Sequence, residues 1–505
     1  MINEQQEHLI ARSDPFKAFI DNKQPIVDKS NLMRWLNDDS KILIFLCGEG
    51  WGSSTNLSML RSFLSNQEQH QDDLFKGMAI SGQSAYRQFQ GKYPVLWLDF
   101  SKIAWDSSEQ DIKEFLITTV KQLYLDFEIP LPDDLSCKNL ADGVWMLIKK
   151  LYEQFGVRPV MIIDSYDRPA QIAYYGGFYN EIYSVVEKIL CVCLKGNLYL
   201  STAFLTGQAR PGDQQVPTSF NNFSLYSMFD RTFEGIFGFS EEEVRVLFAA
   251  HDVKVSEETW QQLSLWYGGY YVRGKEYFNP HSVSCYLQQL KQGNLEFKPF
   301  FTNKSPFLKQ LPELVVMQLG QLLKDNNQAL GMKADLFSTY YPGSEKQESV
   351  MLNRLLFNQI LTPVKNTDYV INRYAIEVKL PNQEMTCFIK QLLVNHYHWS
   401  ETCLSKIELM AFIQKYMAEN SGEPIDEILT LGALIWQGKL IEASSMVEIL
   451  KAKQLDETHA QSIKESVALS PATILNNHGL GSPLHTNRNT QEQSENKDNL
   501  GITMV

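Results

Sequence analysis

Ile42-Leu43-Ile44-Phe45-Leu46-Cys47-Gly48-Glu49-Gly50-Trp51-Gly52-Ser53-Ser54 carries an apolar run into a stretch where every second residue is glycine. The apolar run predicts a buried strand, and the segment Ser54 to Leu64 sets Leu57, Leu60 and Leu64 on one helical face. Strand, glycine-rich turn and helix are the setting of a phosphate-binding loop. There, backbone N–H groups at the helix entrance and a lysine ammonium together hold the phosphates. Gly52 stands at the loop's last glycine, Ser54 at its magnesium-binding hydroxyl, and Ser53 at its lysine. A hydroxyl carries no charge to set against the β and γ phosphates. The stretch therefore reads as a phosphate loop that has kept its glycines and lost its cation.

A second stretch agrees with the first. Arg158-Pro159-Val160-Met161-Ile162-Ile163-Asp164-Ser165-Tyr166-Asp167-Arg168-Pro169 is a short β-rich run ending in an acid. Such a strand holds magnesium through water, a role that falls to Asp164. The position after it supplies the carboxylate that orients or deprotonates the attacking water, and Ser165 has no basicity for that work.

With these residues in place, the chain resembles the predicted AAA-ATPase-like family of bacteria, P-loop proteins often fused to a PD-(D/E)xK-type nuclease domain. The matching stretches run in order from about residue 15 to about residue 390. Ile26-Val27-Asp28-Lys29-Ser30 resembles the family's VDKT motif, and Asn56-Leu57-Ser58-Met59-Leu60 follows the altered loop where the family reads GKTLNLSML. Leu74-Phe75-Lys76-Gly77 and Tyr93-Pro94-Val95-Leu96-Trp97-Leu98-Asp99-Phe100 come next, and Ile163 to Pro169 stands where the family has IDEYDKP. Thr206-Gly207, Asn221-Asn222 and Phe237-Gly238-Phe239-Ser240 follow. Trp266-Tyr267-Gly268-Gly269-Tyr270, Tyr277-Phe278-Asn279-Pro280 and Pro381-Asn382-Gln383-Glu384 complete the series. The family's loop reads RPRRFGKS or close to it, so Cys47, Gly48, Glu49, Gly50 and Ser53 replace both its arginines and its lysine. Glu49 also sets negative charge beside the phosphate position. The resemblance implies an ATPase fold, and the substitutions argue against hydrolysis at family rates.

The 505 residues suffice for two to three domains, and 44% hydrophobic with 12% aromatic residues describes a globular chain with large side chains in its core. No stretch approaches the roughly 18 consecutive apolar residues of a membrane helix. The polar start Met1-Ile2-Asn3-Glu4-Gln5-Gln6-Glu7 is not that of a secretory signal. A formal charge of −13 argues against non-specific nucleic-acid binding. Seven cysteines without framework spacing predict free thiols in a reducing, cytoplasmic setting, with Cys191 and Cys193 in the core.

The expected fold class is α/β: a P-loop AAA-like parallel sheet flanked by helices, then a helical lid with a winged-helix-like end, then a helical region. Residues 1–40 read as a helical lead-in, 41–239 as the P-loop domain, 240–390 as the lid, 391–465 as helical and 466–505 as a disordered tail. Candidate strands are Ile42–Leu46, Val95–Phe100, Val160–Asp164 and Leu198–Leu205, and Ser240 opens a capping box with Glu243. Thr206-Gly207 matches a sensor region at the sheet's C-terminal edge, where ligands bind in such folds. Arg210 is the cation of the following loop that could face a nucleotide, set against a solvated loop arginine.

Other constellations have plainer readings. Glu377-Val378-Lys379 with Asp368 fits the pattern of a magnesium-dependent nuclease, but the family has a plain strand there. No second candidate follows residue 390, so no nuclease domain is expected. His396, His398 and Glu401 could begin a metal site but lack further ligands and read as a polar helix end. The aromatics Trp266, Tyr267, Tyr270 and Tyr271 could stack a base but read as packing. The tail's end, Thr503-Met504-Val505, has the form of a PDZ ligand, and its polar composition resembles export signals of bacterial proteins injected into host cells.

The leading expectation is a catalytically degenerate AAA-like protein that serves as a scaffold or switch for a protein partner. Gly48, Gly50, Gly52, Ser53, Ser54, Asp164 and Arg210 are the candidate nucleotide ligands for ATP or ADP, with magnesium shared by Ser54 and Asp164. Three rivals stand beside it: an ATPase with a lysine borrowed from Lys41 or Lys29, a scaffold that takes no nucleotide, and the nuclease remnant at Glu377. The resemblance alone implies no ring.

Overall fold

Ile42–Leu46 forms strand β1, all five residues buried, as a run without polar alternation requires when both faces of a sheet are covered. In the computed structural model, which describes residues 15–22, 24–37, 41–67, 74–210, 222–230, 235–325, 328–334, 347–365, 375–419 and 425–453, β1 sits inside a five-stranded parallel sheet. Its companions are β2 (Val95–Asp99), β3 (Val160–Asp164), β4 (Ala203–Gly207) and β5 (Ser224–Ser227), in the order β2-β3-β4-β1-β5. The register aligns Leu46 with Gly207 and Asp99 with Asp164, so the strands end together and their loops converge at one edge.

Helices cover both faces, as parallel connections demand. The lead-in supplies α1 (Pro15–Asp21) and a 3₁₀ segment, Ser30–Asn37. The loop after β1 enters α2 (Ser53–Leu64), whose Leu57, Leu60 and Leu64 are buried as the spacing predicts. The remaining sheet helices are α3 (Glu109–Asp126), α4 (Leu140–Phe155), α5 (Arg168–Gly176) and α6 (Tyr179–Leu194). On α6, Cys193 is buried and Cys191 partly so, and all seven cysteines are free. The expected strand Leu198–Leu205 is corrected to Ala203–Gly207. Asn197 accepts from Tyr199 N and donates to Cys193 O, turning the chain there and leaving Leu198 74% exposed. Strand β5, at the sheet's edge, was not anticipated.

The segment expected as the lid, and so called below, opens with the expected capping box: Ser240 Oγ accepts from Glu243 N and Glu243 returns a carboxylate to Ser240 N. Helices α7 (Glu241–Ala250), α8 (Glu257–Tyr267) and α9 (Pro280–Lys291) share a core of Val244, Leu247, Trp260, Leu263, Tyr267 and Tyr286, with the hairpin β6 (Tyr270–Val272) and β7 (Lys275–Tyr277) between α8 and α9. The aromatics expected as packing do pack: Tyr267 and Tyr270 are fully buried and Trp266 lies against Phe297. A helix-and-sheet end follows, with α10 (Glu313–Lys324), β8 (Leu330–Lys333), α11 (Glu348–Phe357), β9 (Thr362–Pro363), β10 (Ala375–Lys379) and α12 (Gln383–Tyr397). Its three strands run antiparallel in the order β8-β10-β9. The winged-helix signature from Tyr369 lies outside the described residues up to β10.

The helical C-terminal region supplies α13 (Lys406–Glu419) and α14 (Ile425–Trp436). The chain divides into two compact units, Met1–Val447 and Glu448–Val505, and every feature below belongs to the first. The tail and its terminal Thr503-Met504-Val505 lie outside the described residues. No helix among the described residues is long and apolar enough to cross a membrane.

Two sequence tags explain how the lid holds together. Asn382 caps α12 by accepting from Met385 N, and its amide donates to Gly268 O 114 residues away. A side chain on Gly269 would collide with Pro381 O, which is why the aromatic tag carries paired glycines. Glu384, fully buried, accepts from Ser282 Oγ at 2.7 Å, Phe300 N at 2.7 Å and Phe301 N at 2.9 Å.

Candidate functional site

The loop between β1 and α2 is shaped by left-handed backbone at Gly50 (φ 82°) and Gly52 (φ 87°), a conformation that suits glycine. Gly52 caps α2 without a side-chain bond. The N–H groups of Gly50, Trp51, Gly52, Ser53 and Ser54 make no hydrogen bond to any described residue, so they line up as unspent donors at a helix entrance. Trp51 anchors the loop. It is buried, meets Tyr270 edge-on at 4.7 Å, and fills the space that a side chain at Gly238 would need.

Two cavities flank this loop and share Gly50, Ser53 and Ser54. The first, about 280 Å³, opens toward the strand ends and is lined by Glu49, Ser165, Arg168, Thr206, Gln208 and Lys304. The second, about 330 Å³, lies on the other side, walled by Pro25, Ile26, Val27, Met59, Phe239, Leu247, Pro280 and His281. Sequence reasoning did not find this apolar cavity. Its walls come from the VDKS segment, α2 and the lid, which meet only in three dimensions.

Asp164 ends β3 with no exposure at all. Thr206 Oγ1 donates to its Oδ1 at 2.6 Å, and Ser165 Oγ stands 3.4 Å from the same oxygen. Burial first, and the neighbouring Asp99 second, raise its pKa to about 6, against the pull of Ser54, Thr206 and Ser165. The Ser54 hydroxyl stands beside the carboxylate without completing a hydrogen bond, and Oδ2 has no hydrogen-bond donor among the described residues. A buried carboxylate oxygen without a donor, next to a hydroxyl at a helix entrance, is a donor set suited to magnesium. The structure places Ser54 beside Asp164 at the end of β3. Ser165, in left-handed backbone (φ 56°), presents only a hydroxyl to the cleft.

The other acids nearby are committed. Asp167 accepts from Gln171 Nε2, Gln208 N and Ala209 N, fixing the turn after β4. Asp99 accepts from Ser101 and lies 3.8 Å from Lys102. Glu49 differs: its side chain enters the first cavity, with Oε1 3.6 Å from Arg168 Nη1. Burial raises its pKa, while Arg168, Gln208 and Trp105 pull it back. Arg168 is itself held by Ile103 O at 2.7 Å and by the Trp105 ring 4.3 Å away. The sequence marked Glu49 as a misplaced charge but gave no sign of its partner.

Two hydrogen bonds join the segment after Ser240 to the loop. Gln359 Oε1, on the turn after α11, accepts from Gly48 N at 2.7 Å, and a side chain at Gly48 would strike Asn358 O. Gly48 therefore serves the lid contact as well as lining the first cavity. His281 N donates to Gly50 O at 3.1 Å. Arg210 lies outside both cavity linings, beside Tyr166, whose hydroxyl bonds Ala209 O.

Of the two lysines proposed as substitutes, Lys29 is buried and bonded to Glu243 Oε1 at 2.7 Å and Gly235 O at 2.9 Å. Lys41 precedes β1, at the end of the strand away from the loop, where its carbonyl accepts from Ala203 N. The lysine that does line the first cavity is Lys304. Glu377 and Lys379 share one face of β10, with Lys379 over the Tyr271 ring, and Asp368 lies outside the described residues. His396 bonds Lys309 O, and Glu401 pairs with Lys390, so the histidine cluster does not converge.

No curated protein matches this chain. Residues 13–213 match the family model described as predicted AAA-ATPase. That span holds the loop, α2, β3 with Asp164, and β4 with Thr206. A parallel sheet with its glycine-rich loop, the acid ending β3 and this match agree: residues 13–213 are a domain of the AAA-ATPase-like family.

Proposed function

We propose that this protein binds a purine nucleotide with magnesium and cleaves it slowly or not at all, using the bound nucleotide to set the seating of the lid. The observation that carries this reading is the pairing of unspent N–H donors at Gly50–Ser54 with the donorless oxygen of Asp164. An anion and a cation each find a prepared place, side by side. The apolar second cavity adjoins the same residues and has the character of a base pocket.

The chemistry of cleavage is what lacks support. Bound magnesium would neutralise phosphate charge, with Ser54 and Asp164 holding it. The remaining tasks fall to Ser53 and Ser165, which offer neither a cation to gather the phosphates nor a base to orient water. Through Gln359 on Gly48 and His281 on Gly50, a ligand on the loop would bear directly on lid contacts. The lid is therefore the element through which a protein partner would sense the nucleotide.

Calorimetric titration with ADP and ATP, with and without magnesium, tests the binding. Micromolar affinity that depends on magnesium and weakens on Asp164→Ala is expected, with ATP turnover below about 10⁻³ s⁻¹. No heat up to millimolar nucleotide would sink the proposal. A second reading, an ATPase assisted by Lys304, has that residue's place in the cavity in its favour. It requires turnover near 1 s⁻¹ or faster, lost on Lys304→Ala.

A further inference from the structure

We infer that Glu49 makes this site selective for nucleoside diphosphates over triphosphates, an inference that rests on the nucleotide-binding reading above. The two cavities give a bound nucleotide a direction. The apolar one takes the base, the shared residues Gly50, Ser53 and Ser54 take the first phosphates, and the polar one lies beyond them. A third phosphate has to extend into the polar cavity, toward Ser165 and Thr206. Glu49 already projects into that space.

Charge decides what the cavity accepts. Arg168 could meet a terminal phosphate, but its guanidinium is turned to Glu49 at 3.6 Å and held there by Ile103 O and the Trp105 ring. Glu49 thus does two things to a triphosphate: it neutralises Arg168, one of the two cations lining the cavity, and places like charge beside the incoming phosphate. In a partly buried site such repulsion is screened far less than in water. Lys304 is the remaining cation in the lining, and it is exposed. A diphosphate, ending at the loop donors, avoids Glu49. Burial also favours the neutral form of Glu49, so its charge is set against a desolvation cost that a neutral isostere would not carry.

The test is competition of Mg·ADP and Mg·ATP against a fluorescent ADP analogue on the full chain, in the wild type and in Glu49→Gln. Glutamine keeps the shape and removes the charge. The wild type is expected to bind ADP roughly tenfold or more tightly than ATP. Glu49→Gln should bring ATP to within about threefold of ADP, chiefly by tightening ATP. Arg168→Gln serves as a second probe: it should leave ADP affinity within about twofold while weakening ATP further. Equal affinities in the wild type, or ATP the tighter, would overturn the inference and leave nucleotide binding intact, because Glu49 would then have yielded Arg168 to the terminal phosphate. A uniform change in both ligands on Glu49→Gln would also overturn it. Failure of both nucleotides and the probe to bind would remove the underlying reading itself.

Discussion

Asp164 concentrates the physical tension of the site in one carboxyl group. Its pKa stands near 6 in the folded chain against a reference of 3.8, with desolvation as the main cause. Below about pH 4 the group is protonated whether the chain is folded or unfolded, and it adds nothing to the balance. Between 4 and 6 the unfolded chain gives up the proton while the folded chain keeps it, so stability falls as pH rises. By neutral pH the cost reaches roughly 3 kcal/mol. Asp164→Asn removes that ionisation. In the presence of a magnesium chelator the variant should therefore unfold at higher denaturant than the wild type at pH 7.5, and match it near pH 4. A variant no more stable than the wild type at pH 7.5 would show that the carboxylate is not held at a loss. The acid itself was legible from sequence, because a β-rich run ending in Asp is visible in one dimension. The Glu49–Arg168 pair was not: two charges in distant parts of the chain give no sequence sign that they meet.

Elements were legible where one local rule decides them. Strands β1 and β3 follow from unbroken apolar runs, and the start of α7 follows from the Ser240–Glu243 box. Strand β4 was misplaced because Leu198 and Leu200 look like strand residues, whereas the Asn197 turn sets where pairing with β1 begins. The Pro381–Glu384 tag could be seen but not explained, since its meaning lies in partners on α9 and on the segment before α10. Among the described residues Glu384 is the acceptor for the buried Phe301 N–H, and it serves Phe300 and Ser282 as well. Glu384→Ala strands these donors inside the lid, at a cost of about 3 kcal/mol or more. Equilibrium urea unfolding checks this, with Glu384→Gln expected to cost less because it keeps one carbonyl oxygen. A loss below about 1 kcal/mol for the alanine variant would mean that the segment at Phe300 re-pairs elsewhere.

At the scale of the molecule, the question is whether sheet and lid unfold as one. The contacts between them are neither few nor peripheral. Lys29 reaches Glu243, Gly48 and Gly50 bond to Gln359 and His281, and Arg354 bonds Gln171 at 2.6 Å. Several of these groups are buried, so separating the lid would strand polar atoms on both sides while exposing the loop and the Trp51–Tyr270 contact. Partial opening thus carries much of the cost of complete unfolding, and Met1–Val447 is expected to melt in one cooperative transition. A nucleotide seated on the loop would stabilise that whole transition rather than a part of it. Mg·ADP at about a hundred times its Kd adds about 2.7 kcal/mol, which for a unit of this size raises Tm by about 3 °C. Differential scanning calorimetry with and without Mg·ADP decides the matter. Two separate transitions, with only one moved by nucleotide, would uncouple lid from loop and remove the means by which the lid could report the ligand.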